Sequence, residues 1–309
     1  MKRNIALLLI FILIFTMLCG CNNTASEISS DESINSKENY REHQELTANE
    51  APFDSNKMIR FSIPEVGLEN VFIRDISKEE KLSSDSYGRA YLFGDDRYGG
   101  GAFVADHYLA IVVDGNIFIK DLSIGLESGF AYSGVLDLCD VDGDNDSEII
   151  LQETVSITGG CGGFHSRIFD FKDGNIIEMF TSDNGYHFNY DTGYSIEILK
   201  DRKFKIENKF TGYSEEFIDC RSGRDDKYSI YWWYDHETGE PKDISLCVDL
   251  FYEFKPIDID NDGIYEISSR QYVSLIGHSD GLGDAKTILK YNNDSKQFDI
   301  IRTEFECYN

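Results

Sequence analysis

The chain has 309 residues, with 29 Lys and Arg against 56 Asp and Glu, a formal net charge of −27. A surface this acidic repels nucleic-acid phosphates and anionic headgroups and attracts cations, and no basic stripe interrupts it, so no nucleic-acid partner is expected. The length allows one large domain or two modest ones and can bury a core without staples.

Residues 1–20 stand apart from any fold. Lys2 and Arg3 precede the apolar run IALLLIFILIFTML (5–18), which is short for a membrane span and reads as a secretion signal. It ends in Leu18-Cys19-Gly20-Cys21, which resembles the bacterial lipoprotein signal. That resemblance implies cleavage before Cys21 and a diacylglyceryl group, with fatty acids such as palmitate, on its thiol. An uncleaved membrane anchor is the alternative; in both cases the body is expected to be extracytoplasmic, tied to the bacterial cell membrane. Cleavage removes two basic residues and no acidic ones, leaving 27 basic against 56 acidic, or −29. Residues 21–57 are rich in Ser, Asn, Glu and Thr, with Ile28, Ile34 and Leu46 as the larger aliphatics. Too little apolar surface is present to offset ordering entropy, so the segment reads as a disordered tether.

From residue 58 to 309 the pattern is all-β. Short alternating runs such as FSI, NVFIRDI, RAYLFG, HYLAIVV and NIFIKDL are separated by turn signals, among them Asp114-Gly115-Asn116 and Asp173-Gly174-Asn175. No long stretch carries helical periodicity. An internal repeat organises this body, in copies at about 108–180 and 194–304. TVSITGG (154–160) matches YVSLIGH (272–278), and RIFDF (167–171) matches TILKY (287–291). YLAIVVDGNIFIKDL (108–122) resembles YSIEILKDRKFKIEN (194–208), and the second copy carries an insertion at about 213–245.

Each copy contains an acid-rich stretch, DVDGDNDSEI (140–149) and DIDNDGIYEI (258–267), 118 residues apart. Alternate residues of a coiling loop can point inward, so acids at places one, three and five converge, place seven offers a carbonyl or side chain, and place nine closes the set. The first loop offers Asp140, Asp142, Asp144, Asp146 and Glu148. The second offers Asp258, Asp260, Asp262, the carbonyl of Ile264, and Glu266. Such an all-oxygen set suits calcium. Gly263 and Asn145 at place six permit a left-handed turn. An EF-hand is excluded, because place twelve is Leu151 or Ser269 and strand-like residues follow. An acidic turn without metal is the alternative. The pattern Asp-x-Asp-x-Asp-Gly-x-x-Glu-Ile leading into a strand resembles the calcium loop of FG-GAP/VCBS-type repeats. That resemblance implies a propeller-like fold, bound calcium, and a place among cell-surface and adhesive proteins; a β-sandwich is the alternative fold.

Other motifs are weaker. Gly277-His278-Ser279-Asp280-Gly281 matches the hydrolase nucleophile elbow, but no histidine follows Ser279 and a strand rather than a helix is expected next. Cys161 and His165 are four residues apart in a glycine-rich loop, a weak basis for a thiol nucleophile. Disulfides of Cys139 with Cys161, and of Cys220 with Cys247 across the insertion, are the expected use of the cysteines. Tyr231-Trp232-Trp233-Tyr234 lies in the insertion. On a strand, one face of it enters the core, and Trp232 or Trp233 on the other can meet a sugar ring or a protein. The expectation is a lipid-anchored calcium-binding module of the cell envelope, non-catalytic, recognising protein or glycan. An envelope hydrolase acting on glycan or ester substrates is the alternative.

Overall fold

The computed structural model describes residues 60–63, 68–83, 86–95, 107–122, 131–155, 163–182, 191–200, 203–218, 235, 237–238, 240–242, 247–274 and 281–308. Among them the only regular elements are strands, and every pairing is antiparallel. The protein is all-β, as the alternation of its apolar residues requires.

Six strands form the first sheet: β1 (Arg60–Ile63), β2 (Leu68–Ile76), β3 (Glu80–Ser83), β4 (Ser86–Asp95), β5 (His107–Val113) and β6 (Asn116–Asp121). The order is β1-β2-β4-β5-β6, with β3 against β4. Four more follow as an antiparallel run: β7 (Ala131–Cys139), β8 (Glu148–Val155), β9 (Gly163–Lys172) and β10 (Asn175–Thr181). A three-stranded sheet holds β11 (Tyr194–Leu199), β12 (Lys203–Asn208) and β13 (Ser214–Ile218), so the start of the insertion extends the β11–β12 hairpin. The last run is β14 (Cys247–Ile257), β15 (Glu266–Ser274), β16 (Gly281–Asn292) and β17 (Gln297–Cys307). The two four-strand runs join through Phe164 of β9 and Phe251 of β14 into one open eight-stranded sheet.

Local chemistry sets the hairpins. Asp114 and Gly115, and likewise Asp173 and Gly174, all take positive φ. Two such residues in succession match the twist of the flanking strands, so β5 folds onto β6 and β9 onto β10.

Period-two alternation then builds the core. On β8, Ile149 and Leu151 face Leu92, Leu109 and Ile111 of the first sheet, while Ile150 faces Phe251 and Phe254 of the last run. β8 is thus apolar on both faces because both are covered. Phe204 and Ile206 of β12 pack on Val273, Leu282 and Phe305. Each such fully buried side chain contributes about 1.5–3 kcal/mol. The acid stretches sit at matching places, one between β7 and β8 and one between β14 and β15.

Candidate metal centre

The first aspartate of each stretch organises its loop. Asp140 accepts the Gly143 amide on Oδ1 at 2.6 Å and the Asn145 amide on Oδ2 at 2.8 Å. Asp258 accepts the amides of Asp262 and Gly263, each at 3.2 Å. Such coiling needs left-handed residues, and each loop has two: Gly143 (φ 83) and Asn145 (φ 67), then Asn261 (φ 61) and Gly263 (φ 87). Glycine and asparagine have traded places four and six, the two residue types that take this conformation most readily. Asp140, Asp142 and Glu148 each bring an oxygen within 4.8 Å of the others, as do Asp258, Asp260 and Asp262.

Several of the expected ligands, inside and outside these sets, hold contacts of their own: Asp142 Oδ1 accepts the Asp144 amide at 3.1 Å. Asp144 Oδ1 accepts the Asp146 amide at 2.9 Å, and Asp146 turns to the Lys81 ammonium at 2.8 Å. Asp262 Oδ1 accepts the Ile264 amide at 2.8 Å. Glu266 meets the Lys290 ammonium at 2.5 Å.

Glu148 is the residue that constrains the chemistry most. It opens β8, is 1% exposed, and accepts the Val141 amide on Oε2 at 2.7 Å. Among the described residues no donor reaches its Oε1. Burial pushes its carboxyl up to about 9, and the charges of Asp142, Asp140 and Asp170 add to this. Burial, reinforced by neighbouring acids, also holds Asp142 and Asp170 above the ordinary carboxylate range. A divalent cation would reverse that repulsion, and a set made only of hard oxygens fits calcium better than a soft metal.

The two loops touch. The Tyr265 amide donates to the Asp140 carbonyl at 2.8 Å, and Asn293 Nδ2 donates to the Asp142 carbonyl at 2.6 Å. A β-carbon on Gly143 would come within 2.9 Å of Ile264 Cδ1. The Ser147 amide donates to the Lys81 carbonyl at 2.7 Å. The first loop is therefore a junction between β3 and the final four-strand run. Lys81, Asp170, Lys290 and Asn293 escape the reading of the acid spacing. The match of RIFDF with TILKY does set Asp170 opposite Lys290 in the alignment.

The cysteine expectation needs correction at the described ends. Cys139 and Cys247 are free thiols, so neither bridge is made there. Cys139 points into the core among Val141, Ile150 and Ile168, and burial raises its thiol pKa and makes it a poor nucleophile. Cys21, Cys161, Cys220, Trp232, Trp233 and Ser279 lie outside the described residues. His165 is buried beside Thr181 and Arg167. Near it, His107 Nδ1 meets Glu153 Oε1 at 2.5 Å, a buried pair that sequence spacing does not show.

Residues 186–306 match the family model described as the YybI C-terminal domain. The matched stretch contains β11 to β16 and nearly all of β17. The uncharacterised protein YybI of Bacillus subtilis (strain 168) is 25% identical over 181 residues, which is 58% of this chain. The match spans 65% of that protein's length. Among solved structures, rhamnogalacturonan lyase YesW overlays 80% of this chain and 36% of its own at 14% identity, with a TM-score of 0.33.

Proposed function

We propose that the protein is a lipid-anchored, extracytoplasmic module whose β fold is stapled by calcium, and that it binds a protein or glycan partner at the cell envelope rather than catalysing a reaction. The observation that carries the calcium reading is the buried Glu148 carboxylate. It is aimed at Asp140 and Asp142, with one oxygen that no described donor meets. The anchor rests on the Leu18–Cys21 box, and a 37-residue tether would hold the domain on the order of 35 Å from the lipid. The finer fold reading is a sandwich-like stack of open sheets, since packing of sheet on sheet accounts for the cores without a closed wheel.

Calcium binding to the folded state alone stabilises it by mass action. At ten times a dissociation constant of about 10⁻⁴–10⁻³ M the gain is about 1.4 kcal/mol per site. Chelation should lower the melting temperature by a few degrees, and calcium should restore it better than magnesium, which demands regular octahedral geometry. A melting curve indifferent to chelator would remove the calcium reading, and equal rescue by magnesium would reduce it to screening of surface charge. For the anchor, Cys21→Ala should abolish fatty-acid labelling; label that persists would remove that assignment.

A further inference from the structure

The two loops share a frame but differ in what stands beside the ninth-place acid. In the first run Ile149 pairs with Phe169, and in the second Ile267 pairs with Leu289. One step further along each ladder, Glu148 neighbours Asp170 and Glu266 neighbours Lys290. Both glutamates are buried. Lys290 Nζ lies 2.5 Å from Glu266 Oε1, and Glu266 Oε2 accepts the Ile259 amide at 3.3 Å, so both oxygens of this carboxylate are engaged. Glu148 has the equivalent amide from Val141 but, among the described residues, no cation; the ladder sets a further acid beside it. Lys81 is spent on Asp146, and Lys172, two residues past Asp170, only tempers that residue's charge.

We propose that the chain holds one calcium ion rather than two, in the loop at 140–148, and that the Lys290 ammonium is the resident cation of the loop at 258–266. This rests on the calcium reading above. Lys290 occupies the carboxylate oxygen that the first loop leaves open, and the charges of Asp260 and Asp262 also bear on it. A divalent ion entering the second loop must expel this ammonium or do without the ninth-place ligand. The third-place acid left there needs it less: Asp260 is exposed to water whereas Asp142 is half-buried, while the first-place aspartates are half-buried and the fifth-place ones exposed in both loops. The second loop is thus closed before any ion arrives. Through the Tyr265 amide and Asn293 it forms a ready buttress for the first.

Calorimetric titration of calcium into the full chain in detergent tests this. The expected result is one ion per chain. Asp142→Asn should abolish it, and Asp260→Asn should leave it within about twofold. Lys290→Gln should add a second equivalent. Asp170→Lys keeps every residue of the loop and so guards against misfolding of a ligand variant. It should raise the dissociation constant of the single site more than about tenfold, because a positive charge replaces a negative one beside the ion. Two equal sites in the wild type, or a single site lost with Asp260→Asn and kept with Asp142→Asn, would overturn the asymmetry while leaving calcium binding intact. No binding in the wild type would overturn both readings.

Discussion

Glu153 of β8 and Gln271 of β15 occupy the same step of the two four-strand runs, 118 residues apart. Each is buried, and each is bonded to a residue at the entrance of the preceding hairpin. Gln271 accepts the Thr192 hydroxyl at 2.5 Å and donates to the Asp249 carbonyl at 2.8 Å, a neutral arrangement. Glu153 instead meets His107 at 2.5 Å, within a cluster completed by His165 and Arg167, whose Nη2 reaches the Leu122 carbonyl at 3.1 Å. The contrast teaches that the architecture requires a hydrogen bond at this step, not a charge. The first run places an ionised network where the second manages with an amide, at a higher desolvation cost. The same divergence recurs at the loops, where Asp170 stands opposite Lys290. In both places the first run keeps uncompensated or costly charge, and the second has settled it internally.

The largest expected effect breaks that comparison at Glu153. Glu153→Ala would remove the acid that meets His107, and would leave the buried Arg167 with Glu178, 4.0 Å from its Nε, as its nearby carboxylate. About 3–5 kcal/mol should be lost, enough to lower the melting temperature by about 10 °C in thermal denaturation. Gln271→Glu should cost less, about 1–3 kcal/mol at neutral pH, because its second oxygen would face the Asp249 carbonyl. Denaturant titration at several pH values should show part of that loss recovered in acid, where the new carboxyl is protonated.

Acid sensitivity sharpens the contrast. Burial pushes the Glu153 carboxyl up, but the hydrogen bond and charge of His107, with Arg167 and His165, pull it further down, to a net value below its ordinary 4.5. Its stabilising contribution is therefore complete above that pH and is lost as pH falls through the lower folded-state value. Urea midpoints measured downward from pH 5 should fall more steeply for the wild type than for Glu153→Gln. Parallel curves would remove the assigned role. The smallest effect is expected at the junction of the loops. Asn293→Ala deletes the bond to the Asp142 carbonyl and should cost about 0.5–1.5 kcal/mol in the same titration.

What the sequence made legible was local. The hairpin at Asp114-Gly115 and the left-handed turns at Asn145 and Gly263 follow from residues next to one another. HYLAIVV is β5 residue for residue. The pairing of His107 with Glu153 spans 46 residues and depends on how the first sheet lies on the next run, which no spacing rule reports. Lys290 was hidden for a related reason: it reaches Glu266 across a strand pair, so only the register of β15 with β16 brings it to the loop. Counting thiols says nothing of which way β7 turns Cys139. Cys139 is on the face that enters the core.

The central claim is that the loop at 140–148 holds a cation and the loop at 258–266 does not. Crystals of the protein grown in calcium, with anomalous differences recorded at long wavelength, address it directly. The account predicts one ion peak, bounded by Asp140, Asp142 and Glu148, and the Lys290 ammonium still on Glu266. Absence of any peak at the first loop, or an ion among Asp258, Asp260 and Glu266 with Lys290 displaced, would contradict it.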